Sequence, residues 1–137
     1  MIDWKVLLLD MLERVCFFRD IISNNILLVN IIRNNTCGFF QTIKITDVLI
    51  NIISKNIDKC VVISIETLYH TYRELEFFPE DHLNSYEFAI EIANYLKADY
   101  LLYSIIFGDM QHPNLELQLI FTKTGEILRV VNSVIQK

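Results

Sequence analysis

The stretch "NLELQLIFTKTGEIL", Asn114 to Leu128, alternates leucine with polar residues and then reverses on Thr124-Gly125. Side chains along a strand point to opposite faces with a period of two. Leu115, Leu117, Leu119 and Phe121 therefore share one face, predicted to pack on helices, and Glu116, Gln118, Ile120 and Thr122 share the other. The preceding segment, "DYLLYSIIFG" (99–108), has the same character. Leu101, Tyr103, Ile105 and Phe107 fall on one side, Leu102, Ser104 and Ile106 on the other. The following segment, "EILRVVNSVI" (126–135), is rich in β-branched residues and supplies a third strand. The loops "DMQHPN" and "KTG" join the three into an antiparallel meander.

Upstream the pattern changes. Trp4, Leu7, Leu8, Met11, Leu12, Val15 and Phe18 recur at helical intervals, and Asp3 is placed to cap the start. "ILLVNII" (26–32) is short, apolar and β-branched, so it reads as a buried strand ending in the turn residues "RNNTCG". Helical spacing resumes from Thr42 to Ser54, followed by a second buried strand in "CVVISI" and a helix in "ETLYHTYREL". Pro79 interrupts the next stretch, and Ser85 is positioned to cap a helix over "SYEFAIEIANYL". The element order αβαβααβββ, with crossovers first and a meander last, predicts an α/β (α+β) fold. One mixed β-sheet is flanked by helices in a single domain spanning 1–137.

Composition narrows the function. The chain has 137 residues, 53% hydrophobic and 21% charged, with three glycines and two prolines, which describes a domain able to bury its own core rather than a disordered chain. The net charge of −5, with basic residues scattered, argues against nucleic acid, whose phosphates demand clustered lysine and arginine. No apolar run is long enough to span a bilayer, and the charges at Asp3, Asp10, Glu13 and Arg14 break any reading of the start as an export signal. Cys16, Cys37 and Cys60 are odd in number and lack metal-type spacing.

No catalytic, cofactor-binding or metal-binding set is predicted. His70 lacks the second histidine of a helical zinc motif, and His82 and His112 read as loop histidines beside prolines. Glu80-Asp81 reads as solvated surface, and Glu116 and Glu126 have no partner implied by spacing. Asn34-Asn35-Thr36 matches a glycosylation acceptor, a frequent chance match. The three glycines stand too far apart for a phosphate loop. Two readings of the meander's polar side remain: an ordinary solvated face, or one on which an amphipathic tyrosine receives a partner protein. The alternatives to a binding module are a small α/β enzyme or ligand-binding domain using His70, His82 or Glu126, and a structural envelope module.

The ordered motifs resemble the LpoB family of penicillin-binding protein activators. They are Ala98, Tyr100, Leu102, Tyr103 and Ser104 in one strand; Pro113, Leu115, Gln118 and Leu119 in the next; and Thr124-Gly125-Glu126-Ile127 at the hairpin. Weaker agreement runs upstream through Asp3-Trp4, Leu27–Val29, "NNTCG" and "LEFFPEDHLNSYEFAIEIA". The resemblance implies a fold like the N-terminal domain of TolB. It also implies a non-enzymatic regulator that docks on the accessory domain of a bifunctional class A penicillin-binding protein and stimulates peptidoglycan synthesis. It implies the periplasmic face of the outer membrane, reached through a lipid anchor and stalk; the chain as written carries no lipoprotein signal, lipid-bearing cysteine or stalk, and a monomer is expected. By the same resemblance Tyr103 and Ser104, with Asn35 and Thr36 in the turn, are the expected partner contacts. Ile105, Ile106 and Arg129 depart from the family pattern, the two isoleucines making the expected docking face more apolar.

Overall fold

The computed structural model describes residues 2–14, 18–57, 59–75 and 86–136. Cys16, Pro79, Glu80, Asp81, His82 and Ser85, which carry some of the expectations above, lie outside the described residues. The elements run α1 (Trp4–Arg14), α2 (Phe18–Ile22), β1 (Ile26–Val29), β2 (Arg33–Asn34), α3 (Thr42–Asn56), β3 (Val61–Val62), α4 (Ile65–Glu74), α5 (Tyr86–Tyr95), β4 (Tyr100–Phe107), β5 (Asn114–Phe121) and β6 (Glu126–Val134). The sheet order is β3-β1-β4-β5-β6, with β2 alongside β4 beyond the end of β1. The pairs β1–β3, β1–β4 and β2–β4 are parallel; β4–β5 and β5–β6 are antiparallel. The mixed sheet and closing meander are those that the alternation and element order predict.

Local chemistry explains the boundaries. Asp3 caps α1, its Oδ1 accepting from the Val6 amide at 3.2 Å. Ser64 caps α4 through the Thr67 amide, and this ends the strand expected over "CVVISI" after only two residues. The helix expected from Trp4 to Phe18 is described over Trp4–Arg14, and α2 over Phe18–Ile22; residues 15–17 lie outside the described residues. The strand expected over 26–32 ends at Val29 as β1, and a second short strand, β2, forms at Arg33–Asn34, where a turn was expected. Gly125, at φ +76°, adopts the left-handed conformation the hairpin requires, and its amide returns to the Phe121 carbonyl at 2.8 Å.

Two cores result, one on each face of the sheet. On the first, Leu102, Ile106, Leu115, Leu117 and Leu119 pack with Leu8 and Met11 of α1 and Leu49 and Ile53 of α3. On the second, Leu28, Leu101, Tyr103 and Ile120 pack with Leu68 and Tyr72 of α4 and Phe88, Ala89 and Ile92 of α5. The Tyr72 ring stacks on Phe88 with centroids 5.8 Å apart. Its hydroxyl donates to Asn30 Oδ1 at 3.1 Å, so the phenol is buried with its polar end satisfied. Asp99 joins three strands: it exchanges two 2.8 Å bonds with Ile26, and its carbonyl accepts from Thr122.

Candidate functional site

The meander's register builds the site. Tyr103 pairs with Gln118, which pairs with Val130; Ile105 pairs with Glu116, which pairs with Asn132; Phe107 pairs with Asn114, which pairs with Val134. β2 adds Arg33 beside Ile105. These rows share the face on which α4 and α5 pack. Among the described residues the helices cover only its Leu101–Ile120 end. Ile105, Phe107, Glu116 and Gln118 are half-buried, and Val130 and Val134 are exposed. Gln118 donates to Glu116 Oε2 at 2.7 Å, which fixes both polar side chains between apolar neighbours.

Tyr103 marks the border between the covered and open parts of this face. Only 4% of it is exposed. Its ring meets Tyr86 of α5 edge-on, with centroids 5.7 Å apart and planes at 87°. Its hydroxyl accepts a long 3.5 Å contact from Arg33 Nη1. Tyr86 in turn donates to the Gly125 carbonyl at 2.6 Å, tying α5 to the tip of the β5–β6 hairpin. Burial, then the neighbouring Glu87 carboxylate, push the Tyr86 phenol above its ordinary pKa, so it remains a donor.

The turn after β2 lies at the end of the same face. The Asn35 amide donates to the Ile106 carbonyl at 2.8 Å, so the turn is anchored on β4. Asn34 Oδ1 accepts from the Thr36 amide and hydroxyl at 3.1 and 2.6 Å, and Asn34 Nδ2 donates to the Gly38 carbonyl. The Gly38 amide donates to Thr36 Oγ1. Thr36 therefore shapes the turn with its hydroxyl, while Asn35 is exposed at its tip.

The four expected contact residues thus occupy different settings. Asn35 and Thr36 lie together in the turn, and Tyr103 lies on the partly open face. Ser104 points to the opposite face, fully buried, its hydroxyl without a hydrogen-bond partner. A side chain there cannot reach a partner; strand alternation makes Tyr103 and Ser104 mutually exclusive on one surface. Ile106 is likewise fully buried on that opposite face, so of the two isoleucines only Ile105 makes the open face more apolar. Arg33 was hidden from the sequence reading inside a run of turn residues. Cross-strand register, not periodicity, reveals it.

Among the described residues, the ionisable groups His70, His112 and Glu126 stand apart from one another. His70 is exposed on α4, 2.8 Å from Glu74 Oε1, a carboxylate that also accepts from Tyr95. His112 is exposed in the loop after β4, where Asp109 Oδ1 accepts from the amides of Gln111 and His112. Glu126 stands at the hairpin tip, its amide bonded to Thr124. No group of three potential metal ligands exists among the described residues, and no described helix is long and apolar enough to cross a membrane.

Comparison with known proteins agrees with this architecture. Residues 5–129 match the family model described as peptidoglycan-synthase activator LpoB. The penicillin-binding protein activator LpoB of Yersinia pestis is 37% identical over 135 residues, covering 98% of this chain and 70% of the relative. The LpoB C-terminal domain from Salmonella enterica superimposes with a TM-score of 0.82 at 28% identity, over 98% of this chain and 99% of that one. The corresponding domain from Escherichia coli gives 0.75 at the same identity and coverage. The chain is a member of the LpoB family of peptidoglycan-synthase activators.

Proposed function

We propose that this chain activates peptidoglycan synthesis by docking on the accessory domain of a bifunctional class A penicillin-binding protein, at the periplasmic side of the outer membrane. The observation that carries the reading is family membership across 98% of the chain, from relatives named as penicillin-binding protein activators. The half-open sheet face supports it. It combines apolar residues (Ile105, Phe107, Val130), a phenol (Tyr103) and paired polar groups (Glu116, Gln118), the mixture found where two proteins meet.

The chain works by contact, as a monomer, and makes no bonds itself. Activation follows if it binds the synthase's active conformation more tightly than the inactive one, since a ligand shifts an equilibrium only by its difference in affinity. Asn35 and Val130, exposed at two edges of the face, are contact residues; Tyr103 shapes the border from beneath, and Thr36 holds the turn. Ser104 supports β4 from the sealed side.

The test is binding and glycan polymerisation with the cognate synthase. Binding at or below tens of micromolar with faster polymerisation is expected; no binding in that range rejects the reading. Asn35→Asp and Val130→Asp should each weaken binding several-fold.

A further inference from the structure

The strand pairing contains an irregularity. Val29 pairs with Leu102 and Arg33 with Ile105, so the three residues Asn30, Ile31 and Ile32 run alongside only two, Tyr103 and Ser104. This is a one-residue bulge, the device by which a strand re-aims its side chains. Without it, the period of two would place Arg33 on the same face as Val29, in the core built by α1 and α3. With it, Asn30 and Ile31 both serve the α4–α5 side: Asn30 accepts from Tyr72, and Ile31 lies in the second core. Ile32 returns to the first core. Arg33 then emerges on the half-open face, its guanidinium against the Tyr103 hydroxyl.

A bulge leaves backbone groups that the ladder no longer serves, and buried groups of that kind need another partner. The Asn30 amide donates to the Leu102 carbonyl at 3.2 Å. The Ile32 amide donates instead to a side chain, Thr46 Oγ1 of α3, at 3.0 Å. The Thr46 hydroxyl donates onward to the Thr42 carbonyl at 2.7 Å, so it is held in the orientation that accepts from Ile32. Thr46 is fully buried, a polar residue at a helix position otherwise surrounded by isoleucine and leucine.

We propose that Thr46 is a positioning residue for partner recognition. By accepting the Ile32 amide it holds the β1–β2 bulge that turns Arg33 out, its guanidinium steadied from beneath by the Tyr103 hydroxyl, toward a carboxylate or carbonyl of the partner. This rests on the docking function above. Arg33 supplies the planar donor fork suited to such acceptors, and Tyr103 fixes one side of it.

The experiment uses the whole chain in wild-type, Thr46→Val, Thr46→Ser, Arg33→Ala and Arg33→Ala/Thr46→Val forms. Two measurements are made: affinity for the class A synthase, and, without the synthase, amide hydrogen exchange at Ile32 with NMR contacts between Arg33 and Tyr103. Thr46→Val should speed exchange at Ile32 and weaken binding by about tenfold each, the scale of one lost buried hydrogen bond. It should also abolish the Arg33–Tyr103 contacts, whereas Thr46→Ser restores all three. In the Arg33→Ala background, Thr46→Val should cost no further affinity, because residues acting through one contact are not additive. Undiminished loss in that background, or wild-type binding by Thr46→Val, overturns the proposal. Should Thr46→Val fail to fold, Tyr72→Phe loosens the bulge from its other side and is read by the same pair of measurements. If the wild-type chain does not bind the synthase, the docking reading fails separately. Unchanged Arg33–Tyr103 contacts in Thr46→Val would then still overturn the positioning claim.

Discussion

The two faces of the β4–β5–β6 meander are built from alternate residues of the same strands, yet they do opposite things. The face carrying Leu115, Leu117 and Leu119 is sealed by α1 and α3, and all three leucines are buried. The face carrying Tyr103, Ile105, Glu116 and Gln118 is sealed at one end by α4 and α5 and graded toward solvent at the other among the described residues. Under the docking proposed above, the sheet separates stability from recognition at single-residue spacing. Neighbours in sequence, such as Tyr103 and Ser104, belong to different tasks.

The sharpest way to break this contrast is on the sealed face. Leu117→Ala should lower unfolding free energy by about 3 kcal/mol, through lost burial and the cavity left behind. Urea denaturation would measure it, and a loss below about 1 kcal/mol would mean that the sealed core is looser than its geometry. Tyr72→Phe should cost less, about 1–2 kcal/mol, by removing the bond to Asn30 while keeping the stack on Phe88.

A pH series sharpens the second core further. Burial, and then the neighbouring Tyr69, hold the Tyr72 phenol well above its ordinary pKa. The neutral form is therefore favoured in the folded chain, and its stabilising effect is fully present below the unfolded value of about 10. It is lost as pH rises from there toward the higher folded value, because only the unfolded chain then releases the proton. The urea midpoint should fall above about pH 10, and less steeply in Tyr72→Phe. Some slope should persist there, since Tyr86 and Tyr95 shift in the same direction.

The smallest stability effect belongs to the open face. Val130→Asp, at a residue 50% exposed, should change stability by less than about 0.5 kcal/mol. It should nevertheless weaken synthase binding several-fold. If it destabilised as much as Leu117→Ala, the separation of the two faces would be wrong.

Most of the fold was legible because its signals are local. Period-two leucines give β5, the Thr124-Gly125 turn gives the hairpin, and Ile45, Leu49, Ile52 and Ile53 give the buried stripe of α3. What escaped depends on pairing between distant segments. "ILLVNII" has the composition of one strand, but its last three residues are bent out of register by contacts to Tyr72 and Thr46, neither of which composition can place. The site followed the same rule. Asn35 and Thr36 were readable as turn residues and Tyr103 as an amphipathic strand residue. The burial of Ser104 follows from helices packing on its face, and the place of Arg33 from a register shift. Motif resemblance points to the region that the docking proposal uses, while alternation and register decide which of its atoms are exposed.

Gly38 carries a further consequence. A Cβ there would meet the flexible end of the Met110 side chain, which would have to swing aside, so the turn that ends β2 and the loop that follows β4 pack closely against each other. The shape presented at Asn35 is therefore composed jointly by two segments some seventy positions apart. Chimeras between relatives that transplant one of these loops alone would have to repack the Met110 side chain, whereas exchanging them as a matched set would keep the contact intact.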